Sequence, residues 1–134
     1  MTTRRQFLVV PLALFVACKS EGKRCAHCGM KIDETSAFHA ELEENGARES
    51  FDTPRCALSE WKARGGKGTV IVQDYYERVS QDGTKLRFVI GSDIIGPMGP
   101  EIVPVDAARA PKLVKDHGGK DYALGELTFE LLGQ

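Results

Sequence analysis

Two thiols, an imidazole and a thioether fall within six residues at Cys25-Ala26-His27-Cys28-Gly29-Met30. Thiolate and thioether are soft ligands that select Cu(I), and imidazole also suits copper. A structural zinc site needs a second Cys/His pair to reach four ligands. No second Cys-x-x-Cys follows, and the only other cysteines are Cys18 and Cys56. The stretch therefore reads as a soft-metal half-site that distant parts of the chain must complete. A redox pair or a small disulfide staple uses the same spacing, so both stay open at this level.

Three further positions could take part. Met98 stands in Gly96-Pro97-Met98-Gly99-Pro100, a run that continues neither a helix nor a central strand. Its thioether is either a plug at the core edge or a completing ligand. Cys56 falls in the first turn of an expected helix, where free N–H groups and the dipole favour a thiolate; a small buried hydrophobe is the alternative. Asp52 lies four residues before it and is a possible secondary site residue. His39 falls on the polar side of an alternating strand and is expected to be a solvated surface histidine.

The first residues read as an address. Thr3-Arg4-Arg5-Gln6-Phe7-Leu8 has the twin-arginine pattern of an export signal. The apolar run from Phe7 to Ala17 is too short to span a bilayer but suits a signal peptide. It ends Ala17-Cys18, which resembles a lipobox, so Cys18 is expected to carry lipid. The expected organisation is an export signal over 1–17, a lipid-anchored tether over 18–24 and one domain over 25–134. Removing residues 1–17 leaves 117 residues and takes away Arg4 and Arg5 but no acid, so 18 basic against 19 acidic side chains become 16 against 19, a formal charge of −3. There is no basic excess to hold nucleic acid.

The elements that must position these residues follow from periodicity and punctuation. Phe38, Ala40 and Leu42 alternate with His39, Glu41 and Glu43, and Asn45-Gly46 is a favoured two-residue hairpin turn. The hairpin closes near Phe51. Thr53 can cap a helix with Pro54 in its first turn, and Gly65-Gly66 ends it. Thr69 to Val72 and Leu86 to Ile90 read as strands, Gly91 to Pro100 as a loop and Ile102 to Val105 as a strand. Asp106 is expected to cap a second helix that Pro111 either kinks or delays. Tyr122 to Phe129 reads as a last strand. Both helices end in Gly-Gly-Lys, at Gly65 and at Gly118, an offset of 53 residues that brings Thr53 onto Asp106. The fold class is α+β, two ββαβ units over about 25–76 and 85–130. Units this small expose too much apolar surface alone, so the two share one core.

These features together resemble the NosL family, copper-binding lipoproteins that accompany nitrous oxide reductase. The pieces that match in order are Cys25-Ala26-His27-Cys28-Gly29-Met30, Phe51-Asp52 with Cys56, Val72-Gln73-Asp74-Tyr75 and Pro97-Met98-Gly99, behind an export signal ending at Cys18. The resemblance implies a fold of two ββαβ units, similar also to part of the organomercurial lyases. It implies one bound Cu(I), with Cys28 and Met98 as the leading ligands, Met30 and Cys25 next and His27 as a third or exchangeable ligand. It further implies a non-enzymatic chaperone, exported and lipid-anchored on the periplasmic or extracytoplasmic side of a membrane, which serves a client copper enzyme, nitrous oxide reductase, and its maturation machinery. Thr53 departs from the family's second acid after Phe-Asp, and Pro111 interrupts the second helix.

Two other function classes are consistent with the residues. A thiol-dependent enzyme would be a disulfide oxidoreductase or an organomercurial lyase-like protein. The first would place Cys-x-x-Cys at a helix start after a buried strand, whereas Gly29 and a hairpin follow here. The second would need Cys28, Cys56 and Asp52 to meet. A lipoprotein stapled by Cys25 and Cys28, without metal, is the third class.

Overall fold

The computed structural model describes residues 22–133. The export signal, Cys18 and residues 19–21 of the tether lie outside the described residues. Asn45 and Gly46 both take positive φ, 52° and 78°, which matches the twist of the strands they join. They connect β1 (Ala40–Glu44) to β2 (Ala47–Phe51). Helix α1 (Pro54–Ala63) follows, then β3 (Thr69–Gln73), which returns antiparallel to β1. A short β4 (Ser80–Asp82) completes a four-stranded sheet in the order β2-β1-β3-β4. Leu42 opposes Val70 across the β1–β3 pair, and both side chains are buried.

The second unit repeats the path. Strand β5 (Leu86–Ile90) pairs with β8 (Val103–Asp106), helix α2 (Ala110–His117) crosses over, and β9 (Lys120–Ala123) returns to β5. The order β8-β5-β9 matches β2-β1-β3 strand for strand. The expected loop over Gly91–Pro100 contains a small ladder, β6 (Ile95–Gly96) against β7 (Gly99–Pro100), with Pro97 and Met98 at its turn.

Alternation on β5 sorts the core. Leu86 and Phe88, with Ile90 at the edge, face a cluster shared with Ala40, Leu42, Phe51, Ala57, Leu58, Val70 and Val72 of the first unit. Val89 faces the other way, toward Val103, Val105, Ala110 and Leu113 under α2. One main core thus joins the units and a smaller one seats α2. Asp74, fully buried, ties the junction. Its Oδ1 accepts from the Asp106 N–H at 2.6 Å, and its Oδ2 accepts from the N–H groups of Tyr76 and Glu77.

Three expectations change. Asp106 does not cap α2. Its Oδ1 accepts from the Ala108 N–H, and the helix begins at Ala110 with no side-chain cap, because Pro111 fits only in a first turn. The last strand covers Lys120–Ala123 instead of Tyr122–Phe129. A single turn of 3₁₀ helix over Leu124–Glu126 ends it and directs Leu124 and Leu127 into the main core. His39 is part-buried, and its Nε2 is shielded from solvent without a hydrogen-bond partner, so it is not a solvated surface residue.

Candidate metal centre

The Cys25–Met30 loop is closed by its own backbone. The Cys25 N–H donates to the Met30 carbonyl at 2.8 Å and the Gly29 N–H to the Cys25 carbonyl at 2.9 Å. Gly29 sits at φ +76°, a conformation side chains resist, which lets the chain fold back on itself. Below the loop Arg24 and Lys31 form an antiparallel bridge. The Ala26 N–H donates to Ser50 O at 3.2 Å and docks the loop on β2.

The same strand delivers the third thiol. β2 ends at Phe51, Asp52 leads to the cap, and the Thr53 hydroxyl accepts from the Cys56 N–H at 3.2 Å. Cys56 is therefore locked into the first turn of α1, beside the docked loop. The Sγ atoms of Cys25, Cys28 and Cys56 lie within 4.8 Å of one another. Cys25 and Cys56 are 3% and 4% exposed, whereas Cys28 is half-buried.

The two buried thiols differ electrostatically. Burial raises the Cys25 pKa, but hydrogen bonds from the backbone of Asp52, Cys28 and His27 and from the Cys28 side chain outweigh it and bring it below the ordinary thiol value. Cys56 goes the other way. Burial pushes it up to about 12, and the Thr53 hydroxyl only partly offsets this. At Cys56 desolvation thus outweighs the helix start, because the first turn faces the core. A soft cation at the cluster would supply the missing positive charge and reverse that balance.

The other expected site residues are distributed around this cluster. Asp52 is buried and its carboxyl is raised by desolvation, then by Asp33, with His39 opposing. It reaches the cluster through its backbone N–H to Cys25, and its Oδ2 has no partner. The carboxylate is not a member of the three-thiol group, so the thiol–thiol–acid centre of a lyase is not assembled here. His27 turns its Nδ1 to Glu60 Oε2 at 3.3 Å. Met30 and Met98 are 45% and 52% exposed. That exposure rules out the reading of Met98 as a plug at the core edge.

The β6–β7 turn that carries Met98 is nevertheless tied to the start of α1. The Arg55 guanidinium donates to Pro100 O at 3.1 Å and to Leu132 O at 2.6 Å. The Arg55 and Ile102 N–H groups both donate to Glu101 Oε1. Glu101 is 2% exposed, and a Cβ on Gly96 would come within 3.0 Å of its side chain. Sequence reasoning missed Arg55, Glu60 and Glu101. Only Glu60 left a trace in the sequence, as the residue one helical turn after Cys56.

The sequence model of the NosL family matches residues 17–132. No curated protein sequence matches the chain. The crystal structure of the copper chaperone NosL from Shewanella denitrificans is similar to this chain at 24% identity, with a TM-score of 0.70, covering 78% of this chain and 89% of that one. The repeat of two ββαβ units, the loop with its cysteines and the match along nearly the whole domain converge: the chain belongs to the NosL family.

Proposed function

We propose that this protein is a lipid-anchored extracytoplasmic chaperone that binds Cu(I) and delivers it to a copper enzyme, with nitrous oxide reductase as the client the family resemblance suggests. The observation that carries the reading is the group of three thiols within 4.8 Å, two buried and one half-exposed. Three soft donors at that spacing suit Cu(I), and the similar copper chaperone supports the choice of metal.

The arrangement suggests an order of events. Cu(I) meets Cys28 first, because Cys28 is the thiol solvent reaches. A Cu–S bond forms as the thiol proton leaves to water. Cys25, already biased toward thiolate, follows, and Cys56 loses its proton only once the cation is close. Met98 is the thioether proposed to share the ion with Cys28. Met30 and His27 stand at the loop as further exchangeable donors. A neutral thioether leaves more readily than a thiolate, so a partner's ligand displaces it first and copper moves by stepwise exchange.

Anaerobic titration of the mature protein with Cu(I), against a competing Cu(I) chelator, tests this. One equivalent is expected to bind tightly. Cys28→Ser and Met98→Leu are each expected to weaken binding at least about tenfold, as loss of a first ligand should exceed the 10–100-fold effects of outer-shell changes. Met98→Leu is a solvent-facing change that leaves stability within about 0.5 kcal/mol. Failure of the wild-type protein to bind Cu(I) overturns the chaperone reading. Unchanged affinity in Met98→Leu removes Met98 from the site and leaves the thiols.

A further inference from the structure

We propose that Cys28 is a thiol–disulfide exchange site: an external disulfide oxidises it into a bond with Cys25, which closes the copper centre, and an external dithiol reopens it. The inference rests on the chaperone reading above and adds to it the redox control of the same three thiols.

The three sulfurs are arranged around Cys28. Its thiol shares hydrogen bonds with those of Cys25 and Cys56, and all three Sγ atoms lie within 4.8 Å of one another. Of the three, only Cys28 is open to a reagent. Cys25 and Cys56 are buried, whereas Cys28 is half-buried and stands among the exposed residues Ala26, His27, Gly29 and Met30. A Cβ built on Gly29 would meet nothing within 4 Å. A second protein can therefore approach Cys28 over Gly29 without displacing a side chain.

The backbone selects the partner thiol. The Gly29 N–H donates to the Cys25 carbonyl at 2.9 Å, so residues 25–29 form a single α-turn. Cys25 and Cys28, three apart on that turn, lie on one side of it at a spacing a disulfide spans. Cys56 belongs to α1 instead, where the Thr53 hydroxyl holds its N–H and the Thr53 carbonyl accepts from Ala57. A Cys28–Cys56 bond would have to draw two separately held elements together, whereas a Cys25–Cys28 bond is made within one loop.

The exchange takes two steps. The Cys28 sulfur attacks a disulfide R–S–S–R, one R–SH leaves with the Cys28 proton, and Cys28 is left bonded to the second sulfur. The Cys25 sulfur then attacks that of Cys28, and the second R–SH leaves with the Cys25 proton. Two thiols of this chain are oxidised and one external disulfide is reduced; a dithiol runs both steps backward, again through the reachable Cys28 sulfur. Thiols outside the cytoplasm meet such oxidants. The disulfide takes two of the three thiols away from copper, and copper on Cys28 blocks the first attack. The two states exclude each other.

The test uses the mature chain carrying Cys18→Ser, in which the cluster thiols are the only ones. Metal-free protein is treated anaerobically with oxidised glutathione and then with dithiothreitol. Peptide mapping by mass spectrometry is expected to find Cys25 joined to Cys28 with Cys56 free, and dithiothreitol to restore all three thiols. Cys25→Ser is expected to stall with one glutathione on Cys28; should that variant fail to fold by circular dichroism, the map of the unsubstituted cluster decides the bond. The oxidised protein is expected to bind Cu(I) at least about a hundredfold more weakly than the reduced protein, beyond the range of outer-shell changes. With free Cu(I) buffered at about 100 times its Kd, oxidation is expected to slow about a hundredfold, because only the copper-free fraction reacts. No disulfide under glutathione, a disulfide through Cys56, or glutathione on a thiol other than Cys28 in folded Cys25→Ser would each overturn the inference. If the reduced protein binds no Cu(I), the chaperone reading falls and this control with it. If reduced and oxidised protein bind Cu(I) equally, or copper leaves the oxidation rate unchanged, only this inference falls.

Discussion

Glu101 shows how a single side chain beside the site responds to pH. It is buried, and desolvation raises its pKa above the ordinary 4.5, with the Ile102 and Arg55 N–H groups and the Arg55 charge only partly opposing this. The folded protein therefore binds this proton more tightly than the unfolded chain. Between 4.5 and the raised folded value the native state holds more protons, so the stability from this group falls as pH rises through that window. Protonation favours the fold, and the ionised form at neutral pH opposes it. Glu101→Gln retains an Oε1 acceptor for both N–H groups and removes the charge. Thermal unfolding measured from acid to neutral pH should show a higher neutral-pH midpoint for the variant and a shallower loss of stability as pH rises above 4.5. A variant midpoint lower than wild type at neutral pH would mean that the negative charge is needed to hold Arg55 and the hairpin.

Among the elements, the first turn of α1 is the one the candidate site depends on. It presents Cys56 to the loop cysteines, begins the face that carries Glu60 and meets the β6–β7 hairpin through Arg55. The Thr53 hydroxyl satisfies the N–H of Cys56 itself, and both residues are buried. Thr53→Ala leaves that donor unpaired and is expected to cost about 1 kcal/mol, or up to about 2 because the site is buried. Denaturant unfolding should register it as a lower midpoint with an unchanged slope. Asp106→Ala is the matched comparison. Asp106 bonds only the turn before α2 through its side chain, so its loss is expected to leave the helix start unshifted. Helix α2 answers to Pro111 instead, and this breaks the equivalence of caps that the Gly-Gly-Lys repeat implies.

At the scale of the whole molecule, the two units are one cooperative body because β5 contributes to both cores. Phe88 lies against the first unit's strands, while its neighbour Val89 lies under α2. The candidate site sits on the first unit, yet its surroundings come from the second, through Pro100, Glu101 and Leu132. Among the described residues no helix is long and apolar enough to cross a membrane. Membrane attachment therefore rests on the proposal for Cys18. Cys18→Ser is expected to move the protein from the membrane fraction to the soluble fraction or to leave it unprocessed. Intact mass of the wild-type protein is expected to show lipid on Cys18. A fully soluble wild-type protein of unmodified mass would overturn the anchor.

Local chemistry made much of this legible from sequence. Asn45-Gly46 determined a hairpin because both positions tolerate positive φ, and Thr53-Pro54 determined a helix start because a hydroxyl cap and a missing N–H suit those places. Alternation along Leu86–Ile90 determined which side chains enter which core. The cysteine loop was recognisable because its thiols, imidazole and thioether are adjacent in the chain. Tertiary structure alone decided the rest, since it depends on distances between residues far apart in sequence. It brought Cys56 to Cys25 and Cys28, and there burial raises the Cys56 pKa against the pull of the helix start. It left Met98 exposed on a buttressed hairpin and kept the Asp52 carboxylate out of the thiol group. No periodicity encodes the pairing of His27 with Glu60, because it arises only when a loop docked on β2 meets a helix face that the same strand leads into.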